Sequence, residues 1–264
     1  LATALSADGV EVTEATTDDL DLAGHDLVVV DSYRVRADEI DVGAARVAAV
    51  DDLERDLAVD VVIDPCPGAT AAPHRRAGTV LAGADHLLLD PALASRAATR
   101  VGPDVRRVLV TVGATRAGGL GHGLSAALRA ELGPDSAVAL VVGPWTDDPA
   151  PPGIDTVRTD DGLLPHLEGA DLVVTAAGVT LLESLALGRP TVATVTADNQ
   201  RRAAEGVAAA GAAVLVEPDG AVAATMALAA DHARRTALAA AGRALVDGMG
   251  AARVAAALRR LSPR

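Results

Sequence analysis

Short apolar runs, each bounded by charge or by turn-forming residues, recur along most of the chain. Residues 27–31, 46–50, 61–64, 79–81 and 87–89 are rich in Val, Ile, Leu and Ala and show little alternation. That is the pattern of strands covered on both faces. Residues 92–100 read as a helix, and Val101-Gly102-Pro103-Asp104 as a linker of turn formers. The alternation then restarts. Strands are predicted at 107–112, 137–142, 156–158, 172–175, just after Pro190 and at 213–216; a loop entering a helix at 118–132, and helices at 163–169, 179–188 and 200–210. From 220 to 261 the pattern is Ala-rich and helical, broken around Gly248–Gly250. This order predicts an α/β protein with a doubly wound sheet in each half, divided into residues 1–103 and 104–264. The opening stretch reads as the second half of a helix stopped by Gly9, then a strand at 10–13. An α/β unit that opens there lacks its first strand and loop, so the first unit is expected to be N-terminally incomplete.

Composition narrows this picture. Half of the 264 residues are hydrophobic, yet there is no Phe, one Trp (Trp145) and one Tyr (Tyr33), so the core must be built from Ala, Val and Leu by close helix–sheet contact. The net charge of −13 argues against general nucleic-acid or anionic-membrane binding, but not against a nucleotide held by backbone dipoles. Cys66 is the only cysteine, so an intrachain disulfide or a cysteine metal cluster is impossible. No apolar run reaches membrane-spanning length and no signal peptide is visible, which predicts a cytoplasmic protein. The acidic pairs Asp18-Asp19, Asp51-Asp52 and Asp147-Asp148 match no calcium or zinc spacing; they read as solvated turns, and neither metal nor cofactor is expected.

The chemistry concentrates between Asp171 and Gln200. A buried strand is followed by Ala-Ala-Gly178, then a helix that stops at Gly188 with Pro190 beyond. Gly178 permits a tight turn and close approach of a ligand, and the helix start offers unpaired N–H groups that suit a phosphate. Thr180 adds a hydroxyl, and Glu183, three residues on, lies on the same side, within reach of sugar hydroxyls. Thr180 and Glu183 also fit the T-x-x-E capping box, which needs no ligand. The loop Ala197-Asp198-Asn199-Gln200 follows the next strand and should share its sheet edge, the carboxyl edge where open α/β sheets bind ligands. Two adjacent turns carrying Gly178, Thr180, Glu183, Asn199 and Gln200 make a plausible nucleotide-sugar pocket.

These residues carry a resemblance. Gly178-Val-Thr180-Leu-Leu-Glu183, Leu187-Gly188-Arg-Pro190 and Asn199-Gln200 resemble the donor-binding half of GT-B-fold proteins. Taken with Asp31-Ser32-Tyr33-Arg34, Asp51-Asp52 and the closing Asp247-Gly-Met-Gly-Ala-Ala-Arg253-Val254, they are similar to the UDP-sugar hydrolases of pseudaminic acid biosynthesis and the related spore coat polysaccharide proteins (the PseG/SpsG type). The resemblance covers nearly all the chain and implies two Rossmann-like domains facing a cleft. It implies a hydrolase that cleaves the sugar C1–O bond, releasing UDP and a free deoxy-amino sugar. It also implies a catalytic His in an N-terminal G-x-G-H-x-x-R element that this sequence does not contain, so little turnover is expected of the chain as given. A GT-B glycosyltransferase and a non-catalytic nucleotide-sugar-binding protein of surface-glycan synthesis are the alternatives. The expected partner is a UDP-sugar, with no obligate protein partner.

Four other positions complete the candidates. Gly113 stands where the family has a Gly-Gly-Ser-Asp-like turn, but Ala114, Thr115 and Arg116 depart from it. Asp31 and Tyr33 follow a strand of the first half, Asp31 as a sugar-side binding residue and Tyr33 as a catalytic candidate. Gly119-Leu-Gly121-His122 resembles G-x-G-H in the wrong half; it reads as a turn with an exposed His, or, if it faces the cleft, makes His122 a candidate base. His74 and His166 read as surface or helix-end histidines, and Cys66 as a buried or incidental thiol.

Overall fold

The computed structural model describes residues 22, 24–96, 100–112, 119–143, 150–159 and 162–261. The opening helix and strand at 10–13, Gly113 to Arg116, Trp145 and the Asp18-Asp19 and Asp147-Asp148 pairs lie outside the described residues.

Two all-parallel sheets organise the chain. The first runs in sequence order, β1 (Leu27–Asp31), β2 (Arg46–Val50), β3 (Val61–Asp64) and β4 (Thr79–Ala82). Among the described residues its connections carry loops and a 3-10 turn at Ala37–Glu39. One face packs Val47, Ala49 and Val62 on Ala37 and Leu57; the other packs Ala48, Val61 and Ile63 on Val254. Val254 belongs to the chain's last helix, α7 (Gly250–Arg259), which thus returns to the first sheet.

Among the described residues the second sheet has six strands: β5 (Arg107–Thr111), β6 (Ala137–Val141), β7 (Asp155–Val157), β8 (Leu172–Ala176), β9 (Thr191–Thr194) and β10 (Val214–Val216). Their order is β10-β9-β8-β5-β6-β7. Renumbered within the sheet this is the 3-2-1-4-5-6 order of a Rossmann fold, which reverses direction between its first and fourth strands, β5 and β8. Helices α1 (Leu120–Glu131), α2 (Leu164–Glu168), α3 (Val179–Ala186), α4 (Arg201–Ala209), α5 (Ala221–Ala230) and α6 (His232–Leu245) complete the unit. One face packs Leu109, Ala139, Val173 and Ala193 with Leu181, Leu185 and Val207. The other packs Val108, Val110, Leu140 and Val174 with Leu124, Leu128 and Leu228. Burial on both faces explains the unbroken apolar runs. A core without Phe needs close approach, and it is seen where α6 crosses α3: a Cβ on Gly242 would stand 3.2 Å from Leu185 Cδ2.

Two element expectations change. Residues 87–89 form no strand; Leu87 and Leu89 are buried as extended chain under α7 and join the second sheet's core. Gly250 sits against Leu87, where a Cβ would come 2.5 Å from Leu87 N, so the run is covered by a helix and not by a strand partner. The helix expected over 92–100 is a 3-10 segment, Pro91–Ser95, capped by the Asp90 carboxylate accepting from Ala92 N at 2.8 Å and ended by extended Arg96. The C-terminal helical stretch breaks at Gly248–Gly250 as expected and also at Asp231, whose carboxylate caps α6 at Arg234 N.

The sheets meet through named contacts. Arg202 of α4 donates to both oxygens of the wholly buried Asp64, at the end of β3, at 2.9 and 2.7 Å. It also donates to Asp52 O at 3.1 Å and pairs with Glu54 at 2.9 Å. Glu54 is the one non-glycine residue with positive φ, 56°, among those described. One turn along α4, Gly206 abuts the Pro67 carbonyl.

Candidate functional site

The crevice forms where the second sheet's strand order reverses. Parallel strands leave their carboxyl ends, and the loops that follow them, on one edge; where neighbouring loops diverge to opposite faces, a gap opens. A crevice of about 360 Å³ occupies that gap, in the size range of small-ligand pockets. Thr111 and Val141 close it from the ends of β5 and β6, and Thr175 and Ala176 from the end of β8. Gly178, Val179 and Thr180 form the wall on the α3 side, Gln200 another, and Thr159, Gly162 and Leu163 the far rim. No described lining residue is charged.

The two loops singled out in the sequence therefore converge. Gly178 is the N-cap of α3 and supplies no side-chain cap, so the first N–H groups of that helix are open to a ligand. Its φ of −99° is accessible to any residue, so the glycine is not required by the turn itself. Its value is proximity: a Cβ there would stand 3.7 Å from Gln200 Nε2 and narrow the gap. Gln200 Oε1 accepts from Thr196 N at 3.0 Å and from Thr196 Oγ1 at 3.1 Å, which leaves its amide N–H groups facing the crevice. Thr180 is the second residue of α3, not its cap, so the capping-box reading fails and its hydroxyl lines the crevice. Helix N–H groups, one hydroxyl and one amide make an uncharged, donor-rich wall, which suits an anion.

Glu183 lies one turn further into α3, half-buried and off the crevice wall. Burial, and then the nearby Asp90 carboxylate, hold its carboxyl above the ordinary value. Among the described residues no donor hydrogen-bonds to it. A group raised in this way favours the folded state below its unfolded pKa, and that contribution is lost as pH rises through its raised value. Glu183→Gln should therefore raise the melting temperature of the ligand-free protein at neutral pH; an unchanged or lower melting temperature would contradict this.

Asn199 faces the other sheet. Its Nδ2 donates to Tyr33 Oη at 3.4 Å, and Tyr33 donates to Asp52 Oδ2 at 3.0 Å. Tyr33 is 57% exposed and stands just beyond β1, with Asp31 exposed at the strand end. The structure thus brings Tyr33 beside the loop that walls the crevice. It does not bring His122 to that wall: the residue is the third of α1, partly buried, and its Nε2 has no partner among the described residues. The exposed turn expected there is the first turn of a helix.

Three further expectations are corrected. Asp51 is not solvated; it is 1% exposed, pairs with Arg55 Nε and accepts from Arg55 N at 2.8 Å. Asp52 is tied to Tyr33, with burial first raising its carboxyl above the usual range. His74 is 2% exposed, with Nε2 at 3.1 Å from Asp64 Oδ2 and Nδ1 at 3.2 Å from Arg55 O. Cys66 is buried, as read from the sequence, and burial pushes its thiol up to about 11, so it stays protonated and is no nucleophile near neutral pH. No described group of three or more His, Cys, Asp and Glu residues could hold a metal ion. No described helix is long and apolar enough to cross a membrane.

The comparisons fix the fold. No family model matches the chain, and no curated protein matches its sequence. Solved structures do match. The glycosyltransferase of kitacinnamycin is 24% identical over 78% of this chain and 56% of its own, with a TM-score of 0.56. The S. aureus MnaA–UDP co-structure is 13% identical over 98% of this chain and 86% of its own, with a TM-score of 0.64. The spinosyn rhamnosyltransferase SpnG complexed with thymidine diphosphate is 22% identical over 88% and 73%, with a TM-score of 0.53. The chain has the GT-B fold, and it spans little more than half the length of the first of these, 56%.

Proposed function

We propose that the chain binds a uridine diphosphate-linked sugar and serves hydrolysis of the sugar C1–O bond as the resembling hydrolases do. The observation that carries the nucleotide part is the crevice at the strand-order reversal, with no charge among its described lining residues, where the open N–H groups at the start of α3, the Thr180 hydroxyl and the Gln200 amide border one space. In this reading the diphosphate sits against the α3 N–H groups, Thr180 and Gln200. The ribose lies toward Glu183, and the sugar toward Asn199, Tyr33 and Asp31. The bound UDP and thymidine diphosphate of two proteins of the same fold support a diphosphate at such a site. The hydrolase part rests on the ordered motifs from Asp31 to Val254. We retain 1–103 as the sugar-side unit and 104–264 as the nucleotide-side unit, with α7 packed across onto the first.

A second reading is a glycosyltransferase, favoured by the glycosyltransferases among proteins of this fold. Incubation with a UDP-sugar and no acceptor separates the two: UDP and free sugar appear for a hydrolase, and turnover only after an acceptor is added for a transferase. Calorimetry with UDP tests what they share, and a chain that binds no UDP would end both. Glu183→Ala should weaken UDP by about 1.5–3 kcal/mol, the range for hydrogen bonds to a charged group. Equal affinity in that variant would remove the ribose role. Because the ionised carboxylate is the better acceptor, affinity should fall as pH drops through the raised Glu183 value.

A further inference from the structure

Tyr33 has its two hydrogen-bonding capacities assigned by its neighbours. An ionised carboxylate only accepts, so the Tyr33 proton is committed to Asp52 Oδ2, 3.0 Å away. The phenol oxygen can then only accept from the other sheet, and what stands there is the Asn199 amide at 3.4 Å, presenting Nδ2. The chain Asn199→Tyr33→Asp52 has one direction, and Asp52 sets it. Three carboxylates lie around it on the first sheet's edge: Asp31 near Tyr33, and Asp51 and Asp64 near Asp52. From α4, Arg202 donates to the Asp52 carbonyl.

We propose that Asp52 is the positioning residue that fixes Tyr33 as a hydrogen-bond acceptor facing the second sheet, so that the site takes a sugar hydroxyl or acetamido N–H at that point and disfavours an acceptor such as a carboxylate. The proposal deepens the nucleotide-sugar reading and rests on it for its ligand, but the arrangement of Asp52, Tyr33 and Asn199 is present without one.

Tyr33 is the only tyrosine, so a chain labelled with [13Cζ]tyrosine gives a single resonance whose pH titration reports this phenol alone. Burial is the first cause that raises its ionisation above the ordinary value, the Asn199 bond opposes it, and the Asp52 bond and charge add to it. Asp52→Asn should therefore lower the midpoint and Asn199→Ala raise it. Mere loosening of the loops would relieve burial and move both variants down together. Both moving down, or neither moving, overturns the proposal. If either variant loses its far-UV circular dichroism before the midpoint, the neutral-pH chemical shift decides. The two substitutions must then displace it in opposite senses, and displacement in one sense overturns the proposal. UDP calorimetry on the parent chain is the separate measurement: absence of binding there overturns the nucleotide reading, while the ligand-free titration still decides the role of Asp52.

Discussion

Gly206→Ala should destabilise the protein by about 3 kcal/mol or more, although the same change at an exposed helix interior is stabilising by up to about 1 kcal/mol. Gly206 lies inside α4, where alanine is the better helix former, so local propensity argues for the substitution. The contact across the sheets argues against it. A Cβ on Gly206 would overlap the Pro67 carbonyl oxygen and stand 2.7 Å from Pro67 C. Both are backbone atoms, and no rotamer change relieves them. Either α4 moves off the 65–68 loop, which separates Arg202 from Asp64, or that loop moves off β3 and loses its own contacts. Gly123→Ala is the control, because Gly123 is an exposed α1 residue with nothing within 4 Å of its would-be Cβ. Urea denaturation of both variants should give opposite signs. A Gly206→Ala protein as stable as its parent would show that the two sheets are not packed together as described.

The parts of this molecule that were legible in the sequence are those set by local pattern. Strands buried on both faces show as unbroken Val/Leu runs, and all ten described strands fall at or within about a residue or two of where that rule puts them. The run at 87–89 shows the limit of the rule, since an apolar run under a helix looks like an apolar run inside a sheet. Gly178, Thr180 and Gln200 were legible together because successive loops of a parallel sheet share an edge, so order alone brings them near. Asp64, His74, Asp52 and Arg202 were not. Asp64 and Arg202 are 138 residues apart, and nothing around either one says which loop of the other sheet it will meet. The acidic pair at Asp51-Asp52 read as solvent-facing because a buried aspartate and an exposed one have the same neighbours in sequence. Only tertiary contact distinguishes them.

Asp64→Ala should cost about 3–5 kcal/mol, the loss expected when one member of a buried ion pair is removed. The Asp64 carboxylate is wholly buried and receives both Arg202 nitrogens, His74 Nε2 and, at 3.3 Å, Cys66 N. Burial by itself would lower the Arg202 pKa; the hydrogen bonds and charge of Asp64 outweigh it and leave the guanidinium raised, so the cation is held strongly. Without Asp64, Arg202 keeps, among the described residues, the exposed Glu54 and the Asp52 carbonyl, and His74 loses its one described side-chain partner. A double-mutant cycle with Arg202→Met should show the two single costs far from additive, because the second change removes the charge that the first left unpaired. The effect should also reach the crevice. Arg202 follows Gln200 by two residues, and the turn Asp198–Gln200 that carries the crevice amide is joined directly to the helix that Asp64 anchors. If UDP is bound as proposed, Asp64→Ala should weaken it although Asp64 touches no crevice wall. A variant that lost stability but kept full UDP affinity would show that the turn holds its shape from the second sheet alone.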